Sequence, residues 1–425
     1  MEMTKSRGHV VIVVVNLPVE RDRRVIRECL ALEEAGYRVT VICPRGSAGL
    51  SRLPGSRSTD IRSFPQPLAG SGVLSFAFEF AWALLAVTTR LLGLMLRTRV
   101  DAVQACNPPD VFWVVALLMR ALGRPFVFDH HDLSPELYEC KTDTPNPRVL
   151  AVLKWFEKMS WRRSTAVVST NESYRDLAIN RGGLHPDKVV VVRNGPTIAE
   201  VAYDAHAPRA GRHQIVYLGV INPQDHVEAA VLAAERLIGL RGNTDWKLVV
   251  AGDGECLPAL RELATARNLD DVVEFRGWLE ADEVDVLLNS ATVAIQPDPP
   301  TKMAELSTMA KTVEYVARGL PVVAVDLLET RRTAEGAALY VPTGAPDELA
   351  KALDMLLSDG ATRAAMSQIA RQRFVDELAW DHQAKSYIRL WDRLLRQTRK
   401  GYKSGSPVGG GNPPASPRDT NQTVN

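Results

Sequence analysis

Asp129-His130-His131-Asp132 closes an apolar run and leads into Leu133-Ser134-Pro135-Glu136. Two imidazoles and two carboxylates beyond a strand's carboxyl end could ligate a metal, act as acid and base, or brace a corner. A metal would want a third or fourth ligand at suitable spacing, and none is evident nearby in the sequence. A His held by Asp, donating to a leaving phosphate or a sugar hydroxyl, is the more economical chemistry. Asn107-Pro-Pro-Asp110 ends another strand and opens the next helix, which puts Asn107 and Asp110 on the same crevice; it is also good helix-start chemistry. Gly252-Asp-Gly254-Glu255 turns from a strand into a helix whose N-terminus could meet phosphate. Arg193-Asn-Gly-Pro196 reads as a turn.

A second stretch carries the strongest local pattern. Ser307-Thr-Met-Ala-Lys311-Thr-Val-Glu314 reads as a helix capped by Ser/Thr and stopped at Gly319-Leu-Pro321, and it runs into the strand Val322–Val325. A helix N-terminus offers unpaired N–H groups and partial positive charge. The stretch therefore predicts a nucleoside diphosphate against this helix, with Glu314 on its sugar hydroxyls. An ordinary αβ unit with a solvated Glu is the competing reading.

These residues need a scaffold of alternating strands and helices. Val10–Val15 is an unbroken apolar run of the kind buried on both faces of a parallel sheet. Further strands are predicted at 37–43, 102–105, 125–128, 165–169 and 189–192. A second βα series has strands at 215–219, 246–251, 272–275, 292–296, 321–325 and 338–341. No Gly-x-Gly-x-x-Gly follows the first strand, against a dinucleotide fingerprint. The fold class expected is α/β, two doubly wound Rossmann-like domains facing across a cleft. The boundaries are 1–195, a linker 196–212, a second domain 213–378, a C-terminal helix 379–398 and a disordered tail 399–425 rich in Gly, Ser, Pro and Asn. With 425 residues, two cores are expected. Lys+Arg 51 against Asp+Glu 50 gives no basic excess for a nucleic-acid partner, and five scattered cysteines fit a reducing, cytoplasmic setting.

Val73 to Leu96 is apolar enough to raise a membrane question, but Glu79 and Arg90 interrupt it. A buried or interfacial helix is preferred to a span, and Arg90, Arg97 and Arg99 toward its end suit an anionic membrane surface as well as a solvated helix end.

Together these motifs resemble the retaining glycosyltransferases of family 4, of GT-B fold, in a bacterial polysaccharide-assembly branch. The residues that carry the resemblance are Arg21–Val25, Ala105–Asp110, Phe128–Leu133, Thr170–Tyr174, Val192–Pro196, Tyr217-Leu-Gly219 with Pro223-Gln-Asp225, Ser307–Met309 with Lys311 and Glu314-Tyr315, and Asp326 with Glu329-Thr-Arg331. The resemblance implies a UDP- or GDP-sugar donor on the second domain and a lipid-linked or growing glycan acceptor on the first. It implies His131 and Glu314 as catalytic and Gly219 and Glu314 as donor-binding; to these the residue reading adds Asp132 as catalytic, Gly252 and Gly254 at the donor, and Lys302, Lys311 and Arg331 as candidate counter-charges for its diphosphate. Asn107, Asp110 and His130 stand on the acceptor side, and the helix after Trp380 crosses back to the first domain. No metal and no cofactor beyond the nucleotide-sugar substrate are expected, since no Asp-x-Asp stands at a strand end. The expected setting is the cytoplasm, peripheral on the inner face of the cell membrane, with membrane contact through 73–99. Two positions depart from the family pattern. Leu306 stands where a first glutamate belongs, with Glu305 one place away, and Val220 stands where a basic residue follows the glycine. A nucleotide-sugar 2-epimerase on the same fold and a non-catalytic nucleotide-binding scaffold are the alternatives.

Overall fold

The computed structural model describes residues 6–66, 73–142, 144–203 and 211–404. The predicted tail lies outside the described residues from 405 onward.

The first sheet contains β1 (His9–Val13), β2 (Arg38–Pro44), β3 (Asp60–Phe64), β4 (Ala102–Cys106), β5 (Phe126–His130), β6 (Ala166–Ser169) and β7 (Val189–Val191). The second contains β8 (His213–Leu218), β9 (Trp246–Ala251), β10 (Val273–Gly277), β11 (Val293–Gln296), β12 (Val322–Val325) and β13 (Ala338–Val341). Their orders are β3-β2-β1-β4-β5-β6-β7 and β10-β9-β8-β11-β12-β13, and the named strand pairs are parallel. Parallel strands require crossover helices on both faces, which is why β1, β4, β5 and β6 are buried at every position. In each sheet the strand order reverses at one place, β1/β4 and β8/β11, and the crevice beyond the strand ends there is where ligands bind in such sheets. This is the GT-B arrangement of two Rossmann-like domains. The sequence reading missed β3, whose Asp-Ile-Arg-Ser-Phe is buried only at Ile61 and Phe64. A short, half-polar edge strand leaves too little apolar periodicity to stand out.

One face of the first sheet is covered by the helices Val73–Met95, Trp113–Ala121 and Pro147–Arg163. The other is covered by Arg23–Glu34 and by the C-terminal helix Trp380–Ser404, longer than its expected limit of 398. That last helix buries Tyr387, Leu390, Trp391, Leu394 and Leu395 in one cluster with Val10, Ile12, Cys29 and Val41. It begins beside the connection between domains: Trp380 N–H donates to Pro196 O at 2.9 Å, and Arg193 N–H to Gln383 Oε1 at 3.1 Å. A Cβ at Gly195 would stand 2.9 Å from Leu378 O, so the two passing segments need a glycine there.

The domains also touch directly. Glu329, wholly buried, accepts from Ser173 Oγ at 2.7 Å, Thr308 Oγ1 at 3.2 Å and Arg332 Nη1 at 2.7 Å. Asn171 Nδ2 donates to Leu306 O at 2.9 Å and Thr308 Oγ1 at 3.1 Å, and Tyr174 meets Ser307 through their hydroxyls at 3.1 Å.

Trp391 is fully buried. Trp391→Ala is expected to cost about 3–5 kcal/mol by cavity formation. Denaturant unfolding followed by a probe in the first domain checks it; an unchanged midpoint would show that the C-terminal helix contributes little to that domain.

Candidate active site

At the end of β5, His131 and Asp132 are placed by Asn107. Its Oδ1 accepts from the backbone N–H of His131 (2.6 Å) and Asp132 (3.1 Å), while its Nδ2 donates to Asp132 O at 2.7 Å and Asp110 Oδ1 at 3.1 Å. Asp110 Oδ2 in turn accepts from Ser134 Oγ at 2.6 Å. Asn107 and Asp110 are both buried, so they brace the His131–Asp132 corner and do not meet an acceptor. Burial pushes Asp110 up to about 6, against the opposing pull of the Ser134 hydrogen bond. Burial raises Asp132 as well, against the neighbouring imidazoles of His131 and His130.

His130 is also removed from the acceptor side. It is wholly buried beside Phe128, Trp161 and Tyr174, with ring centroids 5.6, 5.3 and 5.0 Å away. A residue next to a catalytic-looking histidine points to the opposite face of its strand, and here that face is core.

His131 is only slightly exposed and is held from behind by charge. Its Nε2 lies 2.7 Å from Asp129 Oδ2 and 3.0 Å from Arg24 Nε. A nitrogen cannot both donate to the carboxylate and accept from the guanidinium. The shorter, charge-assisted contact decides, and we assign the proton to Nε2, donating to Asp129. With the His131 proton placed there, the carboxylate acceptor left to Arg24 Nε–H is Asp129 Oδ2 at 3.4 Å, Glu28 Oε1 stands 3.2 Å off as an ion-pair neighbour, and Arg24 Nη2 holds Asp129 Oδ1 at 2.9 Å. Burial disfavours charge throughout. For Asp129 the Arg24 guanidinium, with His131, overcomes it and holds the carboxyl well below the usual range. For Glu28 burial and the charge of Asp129 push the carboxyl well above its ordinary value, against the pull of Arg24. Cys106, Asp129 and His131 offer ligand atoms within 4.8 Å of one another, the only such group of three among the described residues. Arg24 sits on the same carboxylate, so a cation there would meet a guanidinium at contact distance. The sequence reading missed Arg24, Glu28 and Asp129 as a set, since Asp129 stands 105 residues beyond Arg24.

Across the cleft, Gly219 follows β8 with φ +154°, and Gly252 follows β9 with φ +141°. A Cβ at Gly252 would lie 1.8 Å from Gly219 O, and one at Gly254 2.3 Å from Ile221 O. Gly252 and Gly254 thus let two loops close on each other at the strand ends.

Lys311 lies beneath Gly219, its Nζ 2.8 Å from Asp298 Oδ1, 3.2 Å from Asp225 Oδ1 and 3.2 Å from the Tyr217 hydroxyl. Burial works against its charge, but Asp298, Tyr217 and Asp225 hold its pKa well above the ordinary lysine value. Its charge is spent on two aspartates, which removes it as counter-charge for a diphosphate. The other two candidate cations are also engaged. Lys302 reaches across the domains to Glu136 (3.4 Å) and Glu139 (3.7 Å). Arg331 pairs with Asp326 and lies over the Tyr340 ring.

Glu314 is half-buried on the helix Ala310–Ala317, and its Oε2 accepts from Arg318 Nη1 at 2.6 Å. Arg318, itself paired with Asp285, orients the carboxylate one helical turn away, an i,i+4 relation legible in the sequence. The expected Ser/Thr cap is absent. Met309 occupies the N-cap position without a side-chain bond, a separate helix Lys302–Leu306 precedes it, and Ser307 and Thr308 serve the domain contact instead. Glu305 does not replace the missing glutamate, because its Oε2 caps the helix Leu328–Ala334 by accepting from Leu328 N–H at 2.7 Å.

With this geometry in place, the comparisons are specific. Residues 22–195 match the glycosyl transferase 4-like domain, and residues 212–359 match the glycosyl transferases group 1 domain. The chain belongs to the glycosyltransferases of GT-B fold. Among its relatives is an alpha-D-kanosaminyltransferase of Streptomyces kanamyceticus, 27% identical over 60% of this chain and 67% of the relative. Sucrose-phosphate synthase from Thermosynechococcus elongatus superposes with TM-score 0.72 at 16% identity, over 92% of this chain and 100% of that one. Anabaena HepE in complex with UDP-glucose gives TM-score 0.64 at 15% identity, over 93% and 100%.

Because Asp110 is raised, its contribution to stability is present below about pH 4 and is lost as pH rises through about 6. Asp110→Asn is expected to flatten that loss, checked by thermal melts from pH 4 to 7. An unchanged pH profile would show that Asp110 ionises without cost.

Proposed function

We propose that this chain is a retaining, metal-independent hexosyltransferase of family 4. It moves a sugar from a UDP- or GDP-sugar to a lipid-linked or growing polysaccharide acceptor in cell-envelope or exopolysaccharide synthesis. The observation that carries this reading is the pairing of two strand-end sites: a histidine held by a buried ion pair on the first domain, and a glycine loop with Glu314 on the second.

In this reading the sugar of the donor nucleoside is bound by Glu314, whose Oε1 has no protein partner among the described residues. The diphosphate lies against the Gly219 loop, where backbone N–H groups supply the stabilisation. The HepE complex with UDP-glucose supports a nucleotide sugar on this fold. His131 meets the donor sugar or its phosphate. Double displacement would need a carboxylate nucleophile, and Asp129 is committed to Arg24 and His131. Same-face attack guided by the leaving phosphate, in a cleft closed to water, fits better. No metal is assigned a role, since the carboxylate of the one candidate cluster is paired with Arg24.

The first domain supports the acceptor class. Helix Val73–Met95 buries Ala83, Val87, Leu91 and Leu94 against the sheet and turns Phe78, Leu85 and Leu92 outward, seven residues apart, with Leu96 beyond its end. Trp155 and Leu117 on neighbouring helices are also exposed. Arg97 and Arg120 flank these apolar residues, whereas Arg90 turns inward to Ser63 O at 2.9 Å. An apolar stripe with basic flanks fits the cytoplasmic surface of an anionic membrane.

Two measurements test the proposal. Thermal shift against UDP- and GDP-sugars should give a rise with one nucleotide class, and Glu314→Ala should weaken that binding by roughly 2–3 kcal/mol. Proton NMR of the product should show the donor's anomeric configuration kept; inversion, or turnover without acceptor, would refute transfer with retention. Separately, the chain should float with anionic but not neutral vesicles, and Leu85→Glu with Leu92→Glu should abolish flotation. Equal recovery of variant and wild type would overturn the membrane assignment.

A further inference from the structure

The C-terminal helix reaches His131 through three consecutive hydrogen bonds. Tyr387, fully buried, donates its hydroxyl to Gln104 Oε1 at 2.6 Å. Gln104, also fully buried on β4, donates from Nε2 to Asp129 Oδ2 at 2.9 Å and to Glu28 Oε2 at 2.6 Å. The same Asp129 oxygen accepts from His131 Nε2 at 2.7 Å.

The orientation of the Gln104 amide is decided by its first partner. Turned over, it would set its oxygen against the ionised Asp129 carboxylate and leave the Tyr387 hydroxyl hydrogen without an acceptor, two losses in a buried site. With the amide as it stands, the two shortest bonds to Asp129 Oδ2 come from Gln104 and His131, with Arg24 Nε at 3.4 Å and Cys106 Sγ at 3.7 Å on the same oxygen, and Oδ1 accepts from Arg24 Nη2. Nε2 of His131 then carries the proton, and Nδ1 is left as the unprotonated nitrogen, with no protein partner among the described residues.

We infer that Tyr387 and Gln104 are positioning residues for His131: a hydroxyl on the helix returning from the second domain fixes an amide in the first, and the amide fixes the carboxylate that sets the imidazole's tautomer and angle. His131 thereby presents Nδ1 as a hydrogen-bond acceptor for a hydroxyl of the bound sugar or acceptor. The inference rests on the proposed placement of His131 at the donor sugar, but the relay itself is a property of the protein without substrate. A helix that only filled space against the sheet would need the Tyr387 ring and not its hydroxyl.

The test uses the full chain labelled with ¹⁵N-histidine, with the His131 ring signals assigned by their loss in His131→Ala. In the wild type they should show the Nε2–H tautomer. Tyr387→Phe keeps the buried ring, and Gln104→Leu removes the amide. Both should shift the His131 ring nitrogens toward the averaged values of mixed tautomers. With an active donor–acceptor pair, Tyr387→Phe should lower kcat roughly three- to tenfold, as expected for one lost hydrogen bond. Donor Kd should stay within about twofold, and adding Tyr387→Phe to His131→Ala should cost nothing more. An unchanged ring spectrum in a Tyr387→Phe variant that melts like the wild type overturns the relay, whatever the activity. A shifted spectrum with wild-type kcat in His131→Ala leaves the relay standing and overturns the catalytic reading of His131.

Discussion

The contact between Arg24 and Asp129 is the constraint on which the first domain's site depends. Both side chains are withdrawn from water, and each alone would carry a desolvation cost of several kcal/mol. Together they are tolerable because they neutralise one another and further hydrogen bonds surround both groups. Arg24 Nη1 gives to Val192 O at 2.8 Å and Asn194 Oδ1 at 2.7 Å, so one guanidinium ties the first crossover helix to the end of β5 and to the connection leaving the domain. Those bonds also explain why Arg193-Asn-Gly-Pro196 is more than a turn, since Asn194 completes the shell of a buried cation. Removing either partner would strand the other, so the pair acts as a fixed dipole behind His131 rather than as an adjustable surface contact.

The second domain solves an analogous problem with the opposite sign. A cation, Lys311, is buried beneath the glycine loop and two aspartates share it. The cation beneath this loop is therefore already shared by two carboxylates before any ligand arrives. Under the proposed donor placement, stabilisation of phosphate there would fall to backbone N–H groups and to the reorganisation of that ion cluster. Such a site discriminates by shape and hydrogen-bond geometry more than by bulk attraction.

Much of this architecture could be read from the chain. The strands with unbroken apolar runs were legible because both of their faces are buried, and the six strands of the second domain fall where their patterns predict. The glycine stop after the helix Ala310–Ala317 and the place of Asn107 just beyond a strand were also legible, because local turn and strand patterns announce them. What could not be read is pairing at long range. Nothing local to Lys311 announces Asp225 and Asp298, nothing near Asp129 announces Arg24, and His130 and His131 look alike until the sheet turns one inward. The role of Ser307 and Thr308 shows the same limit. Their types suit a helix cap, but Asn171 and Glu329, more than a hundred residues before and some twenty after, claim them for the domain contact.

The returning helix has a consequence for how the chain is made. Val10, Ile12, Val41 and Cys29 share a core with Tyr387, Trp391 and Leu395, so the part of the first domain's apolar face that Arg23–Glu34 does not cover stays bare until the second domain has been made. At about 5–20 residues per second, synthesis of the intervening second domain leaves that face bare for roughly ten to forty seconds. The nascent first domain is then a natural client for holding factors at the ribosome, and a helix that emerges after the second domain is the one that completes the first.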